Sequence, residues 1–190
     1  MHLTIFQTPV VSQVFRAIFW VWRKLLGWRV MPDYPEEARR CVMIAAPHTS
    51  NWDLPMTLMG AFYWRLNIYW LGKQSIFKFP FGAVMRWLGG VAVDRSKSNN
   101  LTQNVGVALA ALHGQAQLIV PPEGTRGKVT EWKTGFYYIA QAAQLPILLA
   151  YVDYEKKEIG HFGIFTPTGD VQADISRIRA LYAQVKGKHP

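Results

Sequence analysis

Short apolar runs that alternate with helical patterns, from residue 41 onward, are the feature that most constrains the fold. Runs of strand length followed by segments of 3.6-residue periodicity predict alternating β-strands and α-helices. The predicted strands are 42–47, 67–71, 91–93, 117–120, 147–152 and 158–165, and the predicted helices are 54–66, 101–113, 134–143 and 170–185. This alternation predicts an α/β domain with a largely parallel central sheet flanked by helices.

The composition indicates one folded domain that meets an anionic or lipid partner. The chain has 190 residues, of which half are hydrophobic, and this length suits a single core. Eight Trp, eight Tyr and ten Phe are many beside 17% charged residues, and aromatic side chains are enriched at lipid interfaces. The net charge of +9 favours binding to nucleic acid, anionic lipid or a phosphorylated substrate without choosing among them. The single cysteine, Cys41, excludes an intramolecular disulfide and a zinc cluster built from thiolates.

The segment 1–35 is predicted to be an N-terminal amphipathic, membrane-associating segment and linker ahead of a domain at 36–190. Its longest uninterrupted apolar run, 17–22, is far shorter than the ~20 residues of a spanning helix. The apolar residues that cover most of the helix surface are Val11, Val14, Phe15, Ile18, Phe19, Trp22, Leu25 and Leu26. Together with Arg16 and Arg23, this wide apolar arc favours a helix in the membrane interface over one that only packs on the core.

Polar clusters follow three of the predicted strands, at residues 48–53, 94–95 and 123–126. Ligands of parallel sheets bind beyond the carboxyl ends of the strands, where the clusters of neighbouring strands meet. The sequence therefore predicts that these clusters form one shared site.

His48 and Asp53 are the candidate catalytic residues of the first cluster. His48 follows an apolar strand directly, and Asp53 lies at the start of the next helix, so a strand-to-helix turn can bring their side chains together. An aspartate can fix the tautomer of an imidazole, which leaves the other ring nitrogen free to take a proton from a hydroxyl. Taken alone, a pair at this spacing more often means that the histidine caps a turn and the aspartate favours a helix N-terminus, so the other clusters decide its meaning.

The third cluster has the composition of an anion site. Gly124 allows close backbone approach, Thr125 offers a hydroxyl, and Arg126 offers a planar fork that matches phosphate. Glu123 can orient that arginine or accept a hydrogen bond from a substrate hydroxyl. A surface turn with a solvated ion pair is the alternative for such a segment.

Two further basic residues follow strands and are candidates for the same site. Arg95 comes just after the strand 91–93, and Lys73 comes just after the strand 67–71. Two arginines from separate strand ends can grip one phosphate better than either alone. A solvated strand end is the alternative for each of these residues.

Four motifs in order resemble those of the glycerolipid acyltransferase family, which includes the 1-acylglycerol-3-phosphate acyltransferases. Residues 48–53 are similar to the family's first motif, which is His-x4-Asp. Residues 90–95 are similar to the second, in which a glycine is followed by an apolar run and an arginine. Residues 122–126 match the third, Pro-Glu-Gly-Thr-Arg. The apolar segment with a proline is similar to 145–149. The resemblance covers about residues 40–152, and four motifs in order are far more specific than one.

The resemblance implies a glycerol-3-phosphate acyltransferase-like fold, with 36–190 as the catalytic domain, and assigns roles to the candidate residues. His48 is implied as the general base on the acceptor hydroxyl, with Asp53 as its partner. The residues implied to bind the acceptor are Arg95, Glu123, Gly124 and Arg126, with Thr125 and Lys73 as further candidates. The implied acyl donor is the thioester of acyl-CoA or acyl-carrier protein, and neither a cofactor nor a metal is implied.

The expected partners are the membrane lipid surface, a lysophospholipid acceptor and the acyl-carrier protein if that is the donor, and no nucleic acid. The expected location is peripheral, on the cytoplasmic side of the inner membrane. Pro47 and Pro121 stand where family members commonly have asparagine and an aromatic residue, which leaves the acceptor open. The alternatives are a thioesterase-like hydrolase and a non-catalytic basic protein that binds membranes or other anions.

Overall fold

A seven-stranded sheet forms the centre of the protein in the computed structural model, which describes residues 3–93, 100–125 and 129–189. The strands are β1 (Arg29–Val30), β2 (Arg40–Ala46), β3 (Ile68–Lys73), β4 (Gly90–Val93), β5 (Ala116–Ile119), β6 (Ile147–Asp153) and β7 (Glu158–Phe165). The helices are α1 (Val11–Leu26), α2 (Asp53–Tyr63), α3 (Gly82–Trp87), α4 (Leu101–Ala110), α5 (Gly135–Ala143) and α6 (Val171–Tyr182). Two short 3-10 turns, Glu36–Arg39 and Gln74–Phe77, complete these elements.

The strands are ordered β1-β7-β6-β2-β5-β3-β4, and each neighbouring pair is parallel except the antiparallel pair β6 and β7. This arrangement confirms the predicted α/β fold with a largely parallel sheet. The strand β2 lies between β5 and β6, so the segments that follow these three strands leave the sheet side by side. Neighbouring strands are about 4.8 Å apart, which places side chains just beyond their ends within reach of one another.

Helices cover both faces of the sheet because its central strands are apolar on both sides. Cys41 and Met43 of β2 belong to the core beneath α1 and α2, and Val42 and Ile44 belong to the core beneath α4, α5 and α6. This alternation follows from the two-residue period of a strand. The apolar side chains of β2 therefore contribute alternately to two hydrophobic cores, one on each face of the sheet.

The helix α1 packs one face on the domain and leaves a second apolar face exposed. The rings of Phe15 and Phe19 stack on Phe62 of α2 at centroid distances of 5.6 and 5.4 Å. The outer stripe, defined here as the exposed apolar residues on the adjacent face of the helix, consists of Val14, Ile18, Val21 and Leu25. In the described part of the chain, no helix is long and apolar enough to span a bilayer. The interface position of α1 stays a prediction.

The N-terminal segment also contributes to the sheet, which the sequence pattern did not indicate. Arg29 and Val30 form β1, which pairs with β7 and extends the sheet at one edge. A strand of two residues is too short to show a period, so only the paired structure identifies it. The division of the chain at 35/36 stays a prediction.

Candidate active site

The side chains of His48 and Asp53 meet across the turn between β2 and α2, as predicted. The Nδ1 atom of His48 lies 2.9 Å from Oδ2 of Asp53, and the His48 ring is a quarter exposed whereas the carboxylate is buried. Nε2 of His48 makes no hydrogen bond to the described part of the protein. The imidazole is therefore held at one nitrogen and open at the other.

Four donors fix the Asp53 carboxylate. The backbone amides of Thr49 and Ser50 donate to Oδ2 at 2.8 and 2.9 Å, and the Tyr154 hydroxyl donates to Oδ1 at 2.8 Å. Burial acts to raise the pKa of Asp53, but the hydrogen bonds from His48, Ser50 and Tyr154 outweigh it and hold the pKa below its usual value. Asp53 is thus an anion at neutral pH, with the charge to stabilise a protonated His48.

Glu123, from the segment after β5, is brought against the same turn. Its Oε1 accepts a hydrogen bond from the backbone amide of His48 at 3.2 Å. Its Oε2 is buried and has no hydrogen-bond partner in the described part of the chain. Burial raises the pKa of Glu123 above its ordinary value. The first and third sequence clusters therefore form one site, with one carboxyl oxygen left for a ligand.

Gly124 adopts a backbone conformation that a side chain would strain. Its φ is +68°, and a Cβ atom there would lie 2.9 Å from Cδ of Lys133. The backbone amide of Lys133 also donates to the carbonyl of Pro122 at 2.8 Å, which closes this loop. Glycine thus lets the exposed Lys133 side chain lie close to the backbone beside Glu123.

Of the remaining predicted binding residues, the structure describes Lys73 and Thr125 but not Arg95 and Arg126. Lys73 is exposed at the end of β3, two strands and so about 10 Å from β2. It makes no contact with His48, Asp53 or Glu123 among the hydrogen bonds and ion pairs of the described residues. Thr125 directly follows Gly124 in the same loop. Arg95 and Arg126 lie outside the described residues, so their roles stay predictions.

Tyr154 is a site residue that the sequence reasoning missed. It follows β6, the other neighbour of β2, and its ring packs edge-on against Trp28 at 5.2 Å. Burial, together with the bond to Asp53, raises the pKa of Tyr154, so its hydroxyl remains a donor. A single tyrosine 101 residues from its partner carries no local pattern by which the sequence could have identified it.

The segment 186–189 also lies against the His48–Asp53 turn, which the sequence did not indicate. The carbonyl of Lys186 accepts from the amide of Tyr154 at 2.9 Å, and the amide of His189 donates to Oγ1 of Thr49 at 3.3 Å. Nζ of Lys188 lies 4.4 Å from the ring centroid of Trp52. A Cβ atom on Gly187 would lie 2.6 Å from Thr49, so this close approach requires glycine.

No group of three or more His, Cys, Asp or Glu side chains able to hold a metal is found within residues 3–93, 100–125 and 129–189. The expectation that the reaction uses neither a metal nor a cofactor stays a prediction. What the described residues do provide is an anionic aspartate, a histidine with one open nitrogen and a buried glutamate. This set suits general acid–base chemistry at the end of an α/β sheet.

The fold and this site define an α/β protein in which a histidine and an aspartate lie in contact at the carboxyl end of the sheet. The family model described as Acyltransferase matches residues 31–152, which is more than half of the protein, and the chain therefore belongs to the acyltransferase family. The match spans His48, Asp53 and Glu123, the three residues that the structure brings together. No curated protein matched this sequence.

A solved structure shares the fold. It is the crystal structure of PlsC, the 1-acyl-sn-glycerophosphate (LPA) acyltransferase of Thermotoga maritima, with a TM-score of 0.58 and 19% sequence identity. The alignment covers 93% of this chain and 82% of that chain. At this identity the likeness shows the fold, and the family match shows the kind of enzyme.

Proposed function

We propose that this acyltransferase moves a fatty acyl group from the thioester of acyl-CoA or acyl-carrier protein to a hydroxyl of a lysophospholipid such as 1-acylglycerol-3-phosphate. The observation that carries the proposal is the 2.9 Å contact between His48 and Asp53 in a member of the acyltransferase family. The open Nε2 of His48 is the general base, and Asp53 orients and stabilises the imidazolium.

The proposed reaction needs no covalent acyl-enzyme. Nε2 of His48 takes the proton of the acceptor hydroxyl while the oxygen attacks the carbonyl carbon of the thioester. The tetrahedral intermediate then expels the thiolate as the new ester forms. The imidazolium returns its proton to the thiolate, which leaves as a free thiol, and Asp53 keeps its negative charge throughout.

Acceptor-dependent thiol release tests the proposal. The experiment offers long-chain acyl-CoA and acyl-carrier protein to the protein, with and without a panel of lysophospholipids, and identifies the lipid product. Release that requires one class of lysophospholipid supports the acyltransferase and names its acceptor. Release of free fatty acid without an acceptor points to a hydrolase instead. No release from either donor, with salt-sensitive binding to anionic vesicles, points to a non-catalytic protein.

Tyr154→Phe is expected to lower kcat about ten-fold and to leave both KM values unchanged. The change removes one hydrogen bond to the Asp53 carboxylate and keeps the ring that packs on Trp28. Steady-state kinetics for both substrates measures this split.

Tyr151→Phe is the matched control. Its hydroxyl also donates to a carboxylate, that of Glu158, at the same distance of 2.8 Å, but it makes no hydrogen bond to His48 or Asp53 among the described residues. A purely structural role for Tyr154 predicts that both variants lose thermal stability and neither loses kcat. Equal kcat values for the two variants would contradict a positioning role.

We also propose that the protein is peripheral on the cytoplasmic side of the inner membrane, with the outer stripe of α1 in the lipid interface. The support is the exposure of Ile18 (51%) and Leu25 (79%) on a helix whose other face is already packed. Lys24 and Arg23 in its last turn supply positive charge toward anionic headgroups. The acceptor and the product are lipids, so this position brings the enzyme to its substrate.

The double variant Ile18→Gln/Leu25→Gln is expected to lower the partition of the protein onto anionic vesicles about ten- to hundred-fold. Each change removes apolar area that the proposal places in the lipid. Vesicle co-sedimentation measures the partition. Val107→Gln is the control, because Val107 is a similarly exposed apolar residue on a different helix, α4. If both variants bind like the wild type, the outer stripe does not contact the membrane.

A further inference from the structure

A cleft of about 550 Å³ lies between α6 and the carboxyl ends of β2 and β5. Its walls are the end of β2, Glu123, Trp132 and the side of α6 that carries Arg179. A second cavity, between α2 and the sheet, is apolar and about 20 Å³, which is room for about one water molecule. Of these two concavities, the cleft alone has the size of a substrate moiety.

The cleft adjoins the turn that carries His48, although the His48 and Asp53 side chains do not line it. Ala46 and Pro47 on its wall immediately precede His48, and Glu123 on its wall contacts the His48 backbone. Trp132 is fixed by an edge-on contact with Tyr182 of α6 at 5.3 Å, so this side of the cleft is a packed aromatic surface. A substrate that reaches His48 can therefore extend into the cleft without passing through the core.

Two groups in the cleft lack protein partners. Glu123 is only 7% exposed, and its Oε2 accepts no hydrogen bond within the described residues. A buried oxygen in this state is costly, and a hydroxyl or amide of a ligand would satisfy it. Arg179 is exposed on α6 and makes no ion pair or hydrogen bond in the same part of the chain. Its guanidinium has the planar, forked arrangement of donors that binds phosphate well.

We propose that this cleft binds the phosphate-bearing part of a substrate, with Arg179 on the phosphate and Glu123 accepting from a neighbouring hydroxyl or amide. This inference rests on the proposed function and adds to it a binding residue on α6, outside the four sequence motifs. Two substrates carry this chemistry. The acceptor has a glycerol hydroxyl near its phosphate, and the acyl donor has amides and a phosphate in its phosphopantetheine arm.

Arg179→Gln tests the proposal, with Arg177→Gln as the matched control. Arg177 is also exposed on α6, but it lies 4.0 Å from Asp174, and it is not part of the cleft wall. Arg179→Gln is expected to raise the KM of one substrate about ten- to hundred-fold with kcat unchanged, as expected for a lost charge-assisted hydrogen bond. A higher KM for the lysophospholipid identifies the acceptor as the occupant, and a higher KM for the thioester identifies the donor.

Direct binding separates this proposal from the catalytic one. Calorimetric titration of wild type, Arg179→Gln and Arg177→Gln with coenzyme A and with glycerol 3-phosphate requires no turnover. Weaker binding of either probe by Arg179→Gln alone supports the cleft even if the wild type transfers no acyl group. If Arg179→Gln and Arg177→Gln match in both KM values and in both titrations, the cleft is not a substrate site. Circular dichroism of both variants confirms that α6 is intact.

Discussion

Replacement of His48 by alanine is expected to lower kcat for acyl transfer by about 10²–10⁴-fold, the range of general-base catalysis by a positioned side chain. The imidazole has one nitrogen on Asp53 and the other open, so its removal takes away the base and leaves the substrate-binding residues in place. The KM values of both substrates are expected to change little. Acceptor-dependent thiol release, measured at saturating donor and acceptor, gives this ratio.

His113→Ala is the control for this variant. His113 is exposed and lies between α4 and the amino end of β5. Because β5 is parallel to β2, this position is at the opposite end of the strands from His48. It is expected to retain wild-type kcat. Full activity in His48→Ala, with a thermal unfolding midpoint equal to that of the wild type, would remove the general-base assignment and leave the fold unaffected.

The secondary structure and the class of fold followed from the sequence because the central strands are buried on both faces. Such strands appear as continuous apolar runs, and β2, β5 and β6 each lie within a run of this kind. Periodicity carries no information on which strands are neighbours, so the sequence alone did not predict the order of the strands. The helix ends were less well predicted. The helix α4 ends at Ala110, three residues before the predicted end, because Gly114 marks the turn and not the last helical residue.

The contacts of the site were also easier to predict between residues that are close in sequence than between residues that are far apart. The contact between His48 and Asp53 spans five residues, and a strand-to-helix turn was enough to predict it. The contact of Glu123 with the His48 backbone spans 75 residues, and it was expected only in general terms, from the meeting of strand ends. Tyr154 and the segment 186–189 reach the same turn from other elements. Their residue types are common, so the sequence offered no reason to select them.

Asp53→Asn is expected to lower kcat by a factor similar to His48→Ala, about 10²–10⁴-fold. The change keeps the shape of the side chain, but it removes the negative charge and replaces one acceptor oxygen by an NH₂ donor. Every neighbour of the carboxylate is a donor, namely the amides of Thr49 and Ser50, the hydroxyl of Tyr154 and the ring of His48. An amide nitrogen there can bond to His48 only if Nδ1 accepts, and that tautomer carries its proton on Nε2, which then cannot take one from a hydroxyl. The variant also cannot offset the positive charge that His48 gains when it takes the proton.

The control for Asp53→Asn is Asp174→Asn. Asp174 is likewise buried and accepts from a backbone amide, of Thr168, and from a tyrosine hydroxyl, of Tyr137, at 2.8 and 2.7 Å. It makes none of its hydrogen bonds to His48 or Asp53. Both variants are expected to unfold at lower temperature, but Asp174→Asn is expected to keep its kcat at temperatures where it is folded. Equal losses of kcat in both would show that the effect of Asp53→Asn is structural.

The pH dependence of stability measures how much the negative charge of Asp53, as opposed to the shape of its side chain, contributes to the stability of the fold. The pKa of Asp53 is lower in the folded protein than its ordinary value, so the carboxylate stabilises the fold at pH values above that ordinary value, about 3.9. This contribution is lost as the pH falls through the folded-state pKa. In Asp53→Asn it is absent at every pH, so the difference in unfolding midpoint between wild type and variant is expected to shrink as the pH falls from 6 toward 3. A difference that stays constant over this range would mean that folding does not lower the pKa of Asp53, and the hydrogen bonds to its carboxylate would then not favour the anion over the protonated acid.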